Sequence, residues 1–304
     1  MWGRRLALAT CLLAAPAFAN SLGGEPQGDW RLQVGTFRIG IVADDAVATR
    51  LRLRPFSKSV ETALDLPVEV VAVPDQASLA QAHIDGRLDY AVYSALGFAA
   101  AQAACKCVEP LAVARTEAGA SAFRVVVLAR PDGPGSLSAL AGRTVLTAGP
   151  GHFAGDMALG HFLPQRGVAL GANGVRLEGQ GSQENALAAF AAGEGDALSG
   201  WVPEVAASEG GDGTLAELRR RGINARIVWR SPPIPHGPHA VRRRLPAQAK
   251  ARLRELLLAM TPGDGDVYDV IEPRNRGGLV PARAGDYAPL VKMVQALANA
   301  AMPR

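Results

Sequence analysis

Cysteine is nearly absent: three residues in 304, too few for a disulfide-rich scaffold. Cys11 falls within the first 19 residues, so two remain beyond them, Cys105 and Cys107. Their C-x-C spacing is too short to form a zinc site alone, and no His or Cys partner lies nearby in sequence. The pair is read either as a small disulfide or as a soft thiol pair. Aromatics are scarce at 5%, while Ala and Gly are abundant, a bias that carries little functional information. A surplus of one charge is lacking too. Removing Arg4 and Arg5 with the N-terminal segment lowers the net charge from +4 to +2. The triplets Arg219-Arg220-Arg221 and Arg242-Arg243-Arg244 lie near helix ends or turns and read as solvated charge, so no nucleic-acid partner is expected. Also missing are G-x-S-x-G, H-E-x-x-H and G-x-x-x-x-G-K-[ST], so the chain offers no motif for a nucleophile elbow, a zinc hydrolase or a nucleotide-binding loop. No enzyme activity and no cofactor are expected.

Long apolar runs are absent as well. The longest, Leu6–Ala17, follows Arg4 and Arg5 and ends in Ala17-Phe18-Ala19. It is short of the ~20 residues that span a bilayer and has the parts of a secretory signal cut before Asn20. Residues 1–19 are therefore expected to be a signal peptide and the rest a soluble, exported chain, placed in a bacterial periplasm.

What is present is an alternation of strand and helix. Phe37–Val42 reads as a strand, Leu51–Leu64 as a helix interrupted by Pro55, Pro67–Val73 as a strand, Gln76–Ile84 as a helix, Asp89–Tyr93 as a strand and Ser94–Ala104 as a helix. The alternation then restarts: strands Val125–Leu128 and Thr144–Thr147, helix Asp156–Leu163, strand Val175–Leu177, helix Glu184–Ala192 and strand Asp196–Ser199. Helical segments follow at Pro203–Ser208 and Leu215–Arg221, then strand Ala225–Trp229 and helices Pro246–Met260 and Tyr287–Ala301. Gly86 and Gly193, and Asp89 and Asp196, recur 107 residues apart in the same helix–Gly-x-x-Asp–strand frame. That repeat implies two similar α/β lobes. Both aspartates read as turn or cap residues. The chain is expected to leave lobe 1 near Arg115–Phe123 and return near Pro232–Pro238, two crossovers that act as a hinge around a cleft.

Five blocks, in order, resemble the phosphate/phosphite/phosphonate-type periplasmic solute-binding proteins. They are "FRIGIVADDAVATRLRLRPFSKSVETAL", "DYAVYSALGFAAAQA", "LAGRTVLTAGPGHFAGDMALGHFL", "GSQENALAAFAAGEGDAL" and "IVWRSPPIPHGPHAVRRRLP", covering roughly residues 36–300. The last, with its Ser-Pro-Pro-Ile-Pro crossover, is the most specific. The resemblance implies a two-lobed type II periplasmic binding protein, each lobe a mostly parallel sheet flanked by helices. Lobe 1 would comprise 20–122 plus 237–304 and lobe 2 residues 123–236. It further implies a monomer that closes on a small oxyanion or organophosphorus ligand and presents it to an ABC permease or a membrane sensor kinase.

Within that frame, the strand-to-helix junctions supply the candidate ligand residues. In lobe 1 these are Asp44, Tyr93 and Ser94. Tyr93 and Ser94 offer hydroxyls, and Asp44, beside Asp45, offers a carboxylate to a positively charged group or a protonated oxyanion. In lobe 2 they are Gly151, His152, Phe153, Ser182, Gln183, Ser199 and Trp201. The family's loop is rich in hydroxyls, whereas this one presents an imidazole, a ring and backbone N–H groups. His152 is a donor whose charge responds to pH. Ser182 doubles as an N-cap. Two alternatives stand beside the oxyanion reading. A reduced Cys105 or Cys107 near the cleft fits an arsenite-sensing branch of the family, because trivalent arsenic is thiophilic. The rings of Tyr93, Phe153 and Trp201 fit an organic ligand such as a sulfonate or a pyrimidine.

Overall fold

The structure is a computed structural model that describes residues 29–205, 212–263 and 267–301. The expected signal segment lies outside the described residues, as do 206–208 of the helical segment expected over 203–208; its described half is not helical, Pro203 being the last residue of a strand. A short helix, α1 (Trp30–Val34), leads into β1 (Phe37–Val42), then α2 (Ala46–Arg52), α3 (Arg54–Leu64) and β2 (Val68–Val73). Next come α4 (Gln76–Ile84), β3 (Tyr90–Val92), α5 (Ala95–Cys105) and β4 (Val108–Ala114). Pro55 does not break a helix here. It sits in the first turn of α3, where its missing N–H costs nothing, and Phe56, Val60 and Leu64 form the buried face behind it.

The chain then crosses to a second sheet. β5 (Ala122–Ala129), β6 (Thr144–Thr147), α6 (Ala158–Phe162), β7 (Arg176–Gly179) and α7 (Gln183–Ala191) are followed by β8 (Ala197–Pro203), α8 (Thr214–Arg220), β9 (Arg226–Arg230) and β10 (Ile234–Pro235). It returns to the first sheet as β11 (Pro238–Arg242), α9 (Ala247–Ala259), β12 (Leu279–Pro281) and α10 (Ala288–Ala301). The strand orders are β12-β4-β11-β3-β1-β2 and β10-β5-β8-β6-β7, with β9 on β5. The two-lobed α/β fold is present, but its sheets are mixed rather than mostly parallel. β1 pairs parallel with β2 and β3, and β6 with β7 and β8, while β11 runs antiparallel to β3 and β4, and β5 antiparallel to β8, β9 and β10. The antiparallel strands include those through which the chain enters each lobe after a crossover. Such strands need no connecting helix, so they pair in whichever sense the crossover delivers them.

Strand direction locates the cleft. β4 runs parallel to β3, because both are antiparallel to β11, so the first crossover leaves lobe 1 at the carboxyl edge of β1–β3. β5 begins beside the carboxyl end of β8, where Phe123 pairs with Pro203, so the chain enters lobe 2 at the carboxyl edge of β6–β8. Both lobes therefore turn that edge toward the hinge, the edge at which open α/β sheets bind ligands.

Side chains along β5 alternate between two cores. Val125, Val127 and Ala129 face a cluster with Leu159 and Phe162, and Val126 and Leu128 face one with Phe190 and Leu218. The first cluster continues through Ile234 into lobe 1, reaching Phe98, Tyr287 and Met293. In lobe 1 the other sheet face packs Phe56, Val60, Leu253 and Leu257.

The 107-residue repeat has a physical counterpart. Asp89 accepts the backbone N–H of Arg38 at 2.9 Å, and Asp196 that of Thr144 at 2.8 Å, each tying the start of one parallel strand to its neighbour. Arg242 pairs with Asp89, and Arg143 with Asp196. Gly86 and Gly193 take φ of 74° and 91° after α4 and α7, a region that favours glycine.

Candidate functional site

On the lobe 1 edge each of β1, β2 and β3 leads into a capped helix. Asp45 Oδ1 accepts from Val47 N at 2.9 Å and Ala48 N at 3.0 Å, closing the first turn of α2. Asp44 beside it is exposed. Asp75 caps α4 through Ser78 N, and this backbone donor holds its carboxyl below the usual carboxylate range. Ser94 Oγ accepts from Gly97 N at 3.0 Å, capping α5, while Ser94 N donates to Gln76 Oε1 at 3.0 Å. The Ser94 hydroxyl thus caps the helix as expected, as an acceptor, which leaves its hydrogen free to donate. Tyr93 departs from expectation altogether. Its ring is buried against Phe98, and its hydroxyl meets the buried His83 Nδ1 at 3.0 Å. Burial pushes the phenol up, so it stays protonated. Tyr93 is a core residue because its hydroxyl finds a partner inward, on α4.

On the lobe 2 edge, β6 ends in a glycine turn. Gly149 and Gly151 have φ of 105° and 84°, Gly149 N donates to Thr147 Oγ1 at 3.1 Å, and His152 N donates to Gly149 O at 3.2 Å. Gly151 and His152 are exposed. The helix expected over 156–163 opens with one π turn, Phe153–Met157, before α6. His152 stands at the head of that turn, and its imidazole caps nothing. Ser182 caps α7 through Asn185 N at 3.0 Å, and Gln183 Nε2 donates to Ser199 O at 3.1 Å. Both stiffen the edge, and each keeps one donor uncommitted, the Ser182 hydroxyl hydrogen and the second Gln183 amide hydrogen.

Ser199 and Trp201 were expected where a strand hands over to a helix. They lie inside β8, opposite Val127 and Val125. The strand runs on to Pro203 because Gly200 lets Thr214 pack beneath it, and Thr214 Oγ1 accepts Trp201 N at 3.0 Å. Ser199 is fully buried and donates to Ala154 O at 2.7 Å, pinning the turn after His152. Its role is positional.

What the fold does bring together is an aromatic wall at the crossovers. Phe123, the second residue of β5, has Phe153 edge-on at 6.1 Å, Trp201 edge-on at 6.3 Å and His236 stacked at 6.3 Å. His236 is fixed by both crossovers: its Nδ1 donates to Ala114 O at 2.9 Å, its backbone N to Ser121 O at 2.9 Å, and Tyr287 Oη donates to its carbonyl at 2.8 Å. Burial lowers its pKa, which keeps the ring neutral with Nδ1 as the donor. Phe123 and His236 escaped the sequence reading. The available signal was their scarcity: few aromatics exist, and these two stand in the segments already read as crossovers.

Cys105 and Cys107 form a disulfide with Cα atoms 5.0 Å apart. They lie at the C-terminal end of α5, whose N-cap Ser94 faces the cleft, so the helix length of roughly 16 Å separates them from it. The arsenite alternative needed a reduced thiol beside the cleft. The structure gives an oxidised pair on the opposite edge. Among the described residues, no group of three His, Cys, Asp or Glu is placed to hold a metal ion.

Two α/β lobes joined by two crossovers, each turning its capped strand-end loops toward the hinge, are the frame in which the comparisons with known proteins place a substrate-binding protein. Residues 39–287 match the family described as the periplasmic substrate-binding protein of phosphonate ABC transporters, and the chain belongs to that family. None of the curated proteins matches the chain. Among solved structures, XAC2383 from Xanthomonas citri bound to ATP is similar at 18% identity and a TM-score of 0.62, over 88% of this chain and 100% of that one. PhnD1 from Prochlorococcus marinus in complex with methylphosphonate is similar at 16% identity and a TM-score of 0.53, over 87% and 98%. The family is periplasmic, and among the described residues no helix is long and apolar enough to cross a membrane.

Proposed function

We propose that this protein is exported by its N-terminal segment, captures a small organophosphorus anion between its lobes as a monomer, and presents it to an ABC permease. The observation that carries this reading is the placement of exposed His152 and the aromatic wall on one carboxyl edge, facing the capped helices of the other. His152 and the loop N–H groups supply donors to the anion's oxygens. Phe153 and Trp201 supply a surface for its organic part. A ligand that touches both edges favours the closed state by its differential contacts.

The lobe 1 edge narrows the ligand further. Asp44, Asp45 and Asp75 crowd it with carboxylates, which repel a full dianion. A monoanion, or a phosphonate that also carries a protonated amine, suits both edges. Calorimetric titration with methylphosphonate, 2-aminoethylphosphonate, inorganic phosphate, methanesulfonate, ATP and arsenite tests this. Binding of a phosphonate in preference to phosphate is the expected result. Heat from arsenite, methanesulfonate or ATP and none from either phosphonate would overturn it.

A further inference from the structure

On the edge of lobe 1 opposite the cleft lies a cavity of about 440 Å³, lined by the Cys105–Cys107 disulfide, His83, Asp85, Arg242 and Arg244, among others. Four observations set it apart. First, a bridge across two positions removes little freedom from the unfolded chain, so this disulfide adds little as a staple. Second, both cysteines are only partly buried, so the bond is reachable from the cavity. Third, His83 is 1% exposed, its Nδ1 is engaged by Tyr93, and its Nε2 is buried with no protein partner. With the Tyr93 hydroxyl donating to Nδ1, the ring proton of the neutral imidazole sits on Nε2. Fourth, the lining is cationic in balance. Asp85 is engaged by Gln81 and Arg87, Arg242 pairs with Asp89 but leaves its Nε buried and unpartnered, and Arg244 is exposed at the rim.

We propose that this cavity is a thiol–disulfide exchange site whose substrate is a small anionic thiol, one carrying a carboxylate or sulfonate. Arg244, with Arg242 and His83 Nε2–H behind it, holds the anionic group while the thiolate attacks Cys107 Sγ. The Sγ–Sγ bond breaks, Cys105 leaves as thiolate, and a mixed disulfide forms on Cys107. The leaving sulfur is prepared for that charge: Cys107 N–H already donates to Cys105 Sγ at 3.1 Å, and a stabilised leaving thiolate departs faster. A second thiolate attacks the thiol-derived sulfur of the mixed disulfide, releasing Cys107. Two thiols become one small disulfide, and two electrons pass to the cysteine pair, which takes up two protons.

The test uses the mature protein. It is incubated with 2-mercaptoethanesulfonate, 2-mercaptoethanol or cysteamine at matched thiolate concentration, and mixed disulfide and free thiol are followed by intact-mass analysis. Opposite charge at a focused site should make the anionic thiol about tenfold faster than cysteamine at low salt, with the gap closing at high salt. Arg244→Gln, an exposed substitution, should erase the ordering, and Cys107→Ser should abolish exchange. Circular dichroism checks that both variants fold. A disulfide that resists all three thiols, equal rates irrespective of charge, or an unchanged ordering in Arg244→Gln would overturn the proposal.

Discussion

Asp45 and His152 hold equivalent places in the two lobes, 107 residues apart, each at the head of the helical turn that follows the lobe's first parallel strand. Asp45 spends its side chain on two backbone N–H groups, whereas the His152 side chain caps nothing. One side chain is committed to its helix and the other is not; under the proposed function it is His152 that meets the ligand. Asp45→Ala should therefore lower stability by about 1 kcal/mol in urea denaturation. His152→Ala should leave stability within about 0.5 kcal/mol of the parent. It should instead weaken methylphosphonate binding by about tenfold, as expected for one hydrogen bond to a charged group.

Gly237 sits in the returning crossover with its α-carbon against the Tyr93 carbonyl and Ser94. A methyl group there meets backbone, which cannot swing aside. Gly237→Ala should destabilise the protein by about 2 kcal/mol or more in urea denaturation, because relief requires the crossover to move off lobe 1.

His83 should make the protein acid-sensitive. Burial, and then the charge of Arg242, lower its pKa from 6.5 to about 4. Between those values the unfolded state binds a proton that the folded state refuses, so stability rises with pH across that window and falls as pH drops through it. The loss by pH 4 should be on the order of 3 kcal/mol. Urea titrations of the parent and His83→Asn, compared from pH 7 to 4, should show a smaller slope in the variant.

Arg124 joins β5 to Glu204 at the end of β8 in a two-pronged pair and reaches Ser231 O. The guanidinium holds the Glu204 carboxyl below its ordinary range. That contribution is present above the ordinary carboxylate pKa and disappears as pH falls through the lowered one. Arg124→Gln should cost about 1 kcal/mol at pH 7, since the pair is partly exposed. The difference from the parent should shrink in acid.

Much of this fold was legible in the sequence, and the failures have physical reasons. Strand-helix alternation and the recurrence of Gly86 at Gly193 and Asp89 at Asp196 placed two lobes, because glycine turns and aspartates that tie neighbouring strands leave marks at fixed offsets. Ser199–Pro203 was misread as a strand end. Gly200 and Pro203 look like breakers, yet Gly200 answers to Thr214 packed beneath it, a contact that local sequence does not encode. Tyr93 was misplaced because its inward partner, His83, lies on a neighbouring helix where a lone histidine carries no pattern. The wall around Phe123 was missed for a related reason. It is assembled from both crossovers, β8 and the turn after β6, which only tertiary structure brings within ring contact.

The central claim is that ligand is captured between the lobes by closure about the two crossovers. Small-angle X-ray scattering of the mature protein, with and without methylphosphonate at a concentration that calorimetry shows to be saturating, tests it most directly. A smaller radius of gyration with ligand, absent for His152→Ala at the same concentration, is the predicted result. Saturated binding with an unchanged radius of gyration would contradict the account.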